Sequence, residues 1–147
     1  MRIDAVDYFD AARERLTQAN LLYDKAHYSI ALYVGGVAVE SLLRAYVVRL
    51  DPKLEAAHNL PMLLKASNLR AFTTPIEYQQ TGAAIVDLFK RWKNDLRYIS
   101  NSRLRRRLKK QKLDRGIRGD YLKENCRIGL ETTTTILRIG VAKWKQS

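Results

Sequence analysis

Residues 27–50 read HYSIALYVGGVAVESLLRAYVVRL, and the spacing of their apolar positions decides the fold. Ala31, Val34, Ala38, Leu42, Ala45 and Val48 recur in steps of three and four, the period of an α-helix, so one apolar stripe runs along a long helix. Asp51-Pro52 stops it, because the residue before a proline is pushed out of helical geometry. Towards the N-terminus, Ile3, Val6, Phe9, Ala12, Leu16 and Ala19 repeat the same period and predict a first helix. Towards the C-terminus, a short third helix follows His58-Asn59, where Asn59 can accept from the free amides and Pro61 is tolerated in the first turn. Thr74-Pro75-Ile76-Glu77 announces a fourth helix, with Thr at the cap and Glu three residues later forming a capping box. Its expected stripe is Ile85, Phe89, Trp92, Leu96 and Ile99, which carries that helix through Asp95-Leu96-Arg97-Tyr98. Gly116 and Gly119 break the pattern, and Asp120 caps a fifth helix with a seam of Leu122, Cys126, Leu130, Thr133, Leu137, Gly140 and Trp144. No alternating strand pattern occurs, so the expectation is all-α: one domain over residues 1–147, an up-and-down bundle of about five helices.

Charge is distributed unevenly over this frame. Residues 90–112, KRWKNDLRYISNSRLRRRLKKQK, hold eleven Lys or Arg and one acid, Asp95, a local balance of +10 in a chain whose total is +12. The basicity is therefore gathered at a helix end and loop, about 90–119, instead of being spread for solubility, and gathered positive charge attracts polyanions. With 46% hydrophobic residues, three Pro and seven Gly, the charge belongs to a folded protein and not to a disordered basic tail. The single cysteine, Cys126, excludes an internal disulfide and suits a reducing compartment. An acidic, amphipathic N-terminal stretch and the lack of about 18 unbroken apolar residues predict a cytoplasmic protein without a membrane partner.

Two segments carry a family resemblance. AHYSIALYVGGVAVESLLRAYVV, with Tyr28, Ala31, Ala38, Glu40, Leu43 and Ala45, and then AHNLPMLLK, with His58, Leu60, Leu63 and Leu64, resemble the front half of a HEPN domain, the small helical module of prokaryotic toxin and defence systems. The resemblance covers residues 4–67 closely and the second half more loosely, through Asp95-Leu96-Arg97-Tyr98, where such domains place a signature arginine. It implies a bundle of four to five helices that dimerises along its long helices. In active members an Arg, four to six residues and then a His, contributed by both protomers, cleave RNA without metal. Here Arg97 is present, but Ser102, Arg103 and Leu104 occupy the positions expected for the His, and both histidines, His27 and His58, precede Arg97. Cleavage through a 2′-OH needs a proton acceptor near neutral pH, a role that suits histidine and that neither Ser102 nor Arg103 fills unaided.

The candidate residues follow from these readings. Arg97, Arg103, Arg105, Arg106, Arg107, Lys109 and Lys110 are the candidates for nucleic-acid binding, and Glu40, Arg44 and Tyr98 for lining a cleft. Arg97, Asn101 and the distant His58 are the only candidates for residual catalysis, with Asn101 expected on the same helical face as Arg97. Tyr98 is expected to pack, leaving its hydroxyl wet, Trp92 to face the core, and Cys126 to be a buried thiol. Gly35-Gly36 lacks the preceding strand of a phosphate loop and is expected to permit close helix packing. The β-branched run at 132–135 is unfavourable within a helix and suggests that neighbours override local propensity. The expected function is RNA binding by a homodimer, with neither cofactor nor metal. The alternatives are a metal-independent endoribonuclease with an atypical site, or a module docking on a nucleotidyltransferase or a larger defence effector.

Overall fold

The computed structural model describes residues 2–54 and 58–147, so Ala57, which opens the second resemblance segment, lies outside it. Six α-helices form: α1 (Ala5–Asp24), α2 (Tyr28–Leu50), α3 (Leu60–Ala66), α4 (Pro75–Arg91), α5 (Asn101–Lys110) and α6 (Tyr121–Lys143). Short 3-10 turns lie at Leu69–Ala71, Asn94–Tyr98 and Trp144–Gln146. No strand occurs among the described residues.

The caps are those the residue types dictate. Asn59 accepts from the Met62 amide, Thr74 and Glu77 close a capping box, and Asp120 accepts from the Lys123 amide. A further capping box, Asp4 with Asp7, starts α1 just after Ile3, so Ile3 and Val6 stay exposed and the buried part of that stripe begins deeper in the helix.

The central element is α2. Ala31, Ala38, Leu42 and Ala45 are fully buried, and so are Leu32, Val39, Leu43 and Tyr46, so the helix is covered on nearly every side. Its backbone is approached closely at the glycine pair: a Cβ on Gly35 would meet Leu130 of α6, and one on Gly36 would collide with the Trp92 indole. Trp92 is fully buried, donates from Nε1 to the Tyr33 carbonyl at 3.0 Å and stacks near the Tyr33 ring. Gly129 and Gly140 make similar room on α6 for Leu32 and Leu42. By length and a mean hydropathy of 1.4, α2 could cross a membrane, but most of that window is buried inside the bundle, which accounts for its apolar character.

The expected fourth helix is two elements. α4 ends at Arg91, Trp92 and Lys93 are extended, residues 94–98 form a 3-10 turn, and α5 begins afresh with Ser100 accepting from the Arg103 amide. Trp92 and Leu96 are nonetheless buried. The apolar spacing survives the break because the turn lays its own residues against α2. The threonines at 132–135 also have a local account: Thr132 and Thr133 donate to the Gly129 carbonyl and Thr134 to that of Leu130, so three hydroxyls are satisfied within α6.

Candidate nucleic-acid interface

The basic stretch sorts into cations used by the fold and cations left at the surface. Arg91 belongs to the first group. It is buried, donates from Nε to Asn125 Oδ1 at 2.8 Å and pairs with Asp87 at 3.0 Å. Asn125 in turn donates to the carbonyls of Leu113 and Tyr121, so one polar network ties α4, α6 and the turn after α5 together. Arg107 is the second fold-bound cation: it grips both oxygens of Asp95 at 3.0 and 2.8 Å. That hydrogen bonding holds the Asp95 carboxyl below its usual range, and it fastens the 3-10 turn to the body of α5. Lys93 sits 3.6 Å above the Phe89 ring, where burial lowers the pKa of its ammonium.

Asn101 does not share a helix face with Arg97. Its Oδ1 accepts from the Ser29 amide at 2.8 Å and its Nδ2 reaches the Ala26 carbonyl at 3.4 Å, so it satisfies a free amide at the start of α2 and clasps the turn before it. This side chain fixes the near end of α5. Tyr121 holds the middle, donating its hydroxyl to the Arg105 carbonyl at 3.2 Å, while Leu104 and Leu108 bury the inner face of α5.

What α5 turns outward is cationic. Arg105 lies 3.8 Å from Asp120, both ends exposed, a contact worth little in water. Arg103, Arg106, Lys109 and Lys110 make no ion pair among the described residues. Arg103, Arg106, Arg107 and Lys110 line a surface groove of about 390 Å³. Their spacing of three and four residues sets them in a row along one face. Of the seven expected binding residues, Arg107 is thus committed largely to Asp95, and Arg97 lies on the preceding turn with its guanidinium 4.7 Å from the centre of the Tyr98 ring. Tyr98 itself is 77% exposed, contrary to the expectation that it packs.

The other candidates meet elsewhere. His58 Nδ1 lies 2.6 Å from Glu40 Oε1, and Arg44 Nε lies 3.5 Å from the other Glu40 oxygen. Glu40 is only 13% exposed while His58 is 47% exposed, so a largely buried carboxylate holds a half-open imidazole. The side of α2 bearing Gly36, Glu40 and Arg44 is therefore partly covered, by the Trp92 indole at Gly36 and by His58 at Glu40. Sequence reasoning missed the anchoring roles of Asp95 and Asn125. The only signal for the first was that Asp95 is the sole acid among eleven cations.

Fold and surface together define a small all-α bundle carrying a short cationic helix on its flank. The HEPN domain model matches residues 5–144, nearly the whole chain, and this protein belongs to the HEPN domain family. That membership points to a nucleotide- or RNA-related role, of the kind often found in toxin–antitoxin or defence systems. No curated protein and no solved structure matches the chain.

Proposed function

We propose that this chain is a cytoplasmic, homodimeric HEPN protein of a prokaryotic toxin–antitoxin or defence system that binds RNA through the outward face of α5 and is not an Arg–His nuclease. The observation that carries the reading is the row Arg103, Arg106 and Lys110, none of which forms an ion pair among the described residues, on a helix whose inner face and near end are fixed by the fold. Preset cations neutralise phosphates without first giving up an internal partner, and the released counterions drive binding. The test is fluorescence anisotropy on labelled RNA across a salt series. Replacing Arg103, Arg106 and Lys110 with Ala should weaken binding equally for unrelated sequences and lower the log–log salt slope by about 0.7 to 0.9 for each phosphate no longer neutralised. An unchanged slope would reduce the row to a solvated surface.

One observation favours a second reading, a metal-independent endoribonuclease: the carboxylate-held imidazole of His58. A glutamate on Nδ1 can orient a histidine so that Nε2 is presented as a base. RNA degradation by the purified protein, abolished in both His58→Ala and Glu40→Gln, would establish that reading. No degradation, or degradation indifferent to both substitutions, leaves the binding role.

A further inference from the structure

Residues 90–112 contain a single acid, and it is spent on a cation of the α5 groove. Arg107 lines that groove with Arg103, Arg106 and Lys110, and its guanidinium holds both oxygens of Asp95, at 3.0 and 2.8 Å. The same carboxylate feels the charge of Arg103 from one turn earlier in α5 and that of Lys93 from just before the 3-10 turn. One carboxylate thus sits among three cations, gripped by an arginine fork. A carboxylate and a phosphate each offer such a fork two oxygens, so the place that Asp95 occupies is equally a place for a phosphate.

The clasp is weak enough to exchange. The Asp95 side chain is 56% exposed, and water screens the pair, so it holds no more firmly than other exposed ion pairs. Nor does the turn depend on it alone. Leu96 is buried, the turn packs on α2, and the Leu96 and Ile99 amides donate to the carbonyls of Lys93 and Leu96. Asp95 can therefore leave Arg107 by rotating its side chain while the backbone stays in place. Resting on the RNA-binding reading of α5, we infer that Asp95 is an internal competitor for the RNA: its carboxylate fills a phosphate subsite on Arg107 in the free protein, and a backbone phosphate displaces it on binding. The groove then engages RNA with four cations, of which three stand ready beforehand. Affinity is lowered by the fraction of molecules in which the clasp is closed. A purely structural clasp has the opposite sign, because its loss would loosen α5 and weaken binding.

The experiment is a double-mutant cycle on RNA affinity, read by anisotropy of a labelled oligoribonucleotide at fixed salt, with wild type, Asp95→Asn, Arg107→Ala and the double variant. Asp95→Asn should bind roughly two- to fivefold more tightly than wild type, the range that an exposed ion pair can withhold. Asp95→Ala, which leaves Arg107 no acceptor at that position, should bind at least as tightly as Asp95→Asn. In the Arg107→Ala background the gain from Asp95→Asn should fall away, since the cation it frees is gone. Neither side chain is buried, and every variant should keep the wild-type circular dichroism spectrum. An equal gain in both backgrounds would reduce the effect to one acid fewer near α5, and unchanged or weaker binding by Asp95→Asn would make the pair a structural clasp. Either result would overturn the competitor inference while α5 remained an RNA surface. RNA bound by none of the proteins would overturn both readings.

Discussion

Single residues show how burial decides chemistry. Cys126 is 1% exposed, its thiol donates to the Tyr28 carbonyl at 3.4 Å, and burial pushes its pKa up to about 12. At pH 8 it should react with a soluble thiol reagent roughly a hundredfold or more slowly in native protein than in guanidinium, because the thiolate is the attacking form and is withheld. Fast native labelling would show that the α2–α6 contact opens readily. Asn125 illustrates the same rule for hydrogen bonds. Asn125→Ala would strip a partner from the buried Arg91 guanidinium and from two carbonyls, and should lower the unfolding free energy by about 2 to 4 kcal/mol in urea titration. The burial of Cys126 and Trp92 was legible in the sequence, since both fall on apolar stripes. Asn125 was not, because a lone amide inside a helix carries no mark of the arginine it serves.

At the scale of elements, glycines offer paired tests. Gly36→Ala drives a methyl into the Trp92 indole and should destabilise the fold by about 1 to 3 kcal/mol. Gly82→Ala, in the body of α4 with open space around it, should stabilise by about 0.5 to 1 kcal/mol. Equal melting shifts for the two would contradict the packing described for α2. The joint between the 3-10 turn and α5 should respond to acid. Asp95 has a lowered pKa in the fold, so its contribution is complete above its unfolded pKa of about 3.9 and disappears as the pH falls through the lower folded value. Stability differences between the protein and Asp95→Asn should accordingly be flat from neutrality to about pH 5 and shrink below about pH 4. Most helices could be read from caps and period: Asn59, Thr74 and Asp120 all cap as their types require. The break after Arg91 could not, because Trp92, Leu96 and Ile99 keep helical spacing through a segment that is extended and then 3-10. Ser100 was the available clue, a capping residue sitting in the middle of an apparent helix.

For the whole molecule, the apolar stripes that run along the long helices are largely consumed within one chain, α2 most completely. A trough between α1 and α6 stays open. It is lined by Leu16, Leu137 and Val141 with Asp10, Glu14, Arg13 and Arg138 along its edges, and has a volume of about 730 Å³. Mixed charges of this kind can pair with their own copies across a two-fold axis. Light scattering after size exclusion should then return twice the 17.0 kDa chain mass, and a monomer at tens of micromolar would remove the dimer. The enclosure of α2 also has a consequence in time. Its covering partners are not made together: α1 precedes it, whereas α6 begins only at Tyr121, long after α2 ends at Leu50. At about 5 to 20 residues per second, the ribosome leaves the most apolar segment of the chain half-clothed for several seconds or more. During that interval the nascent protein resembles a membrane segment awaiting insertion, and it is the arrival of α6 that ends this ambiguity.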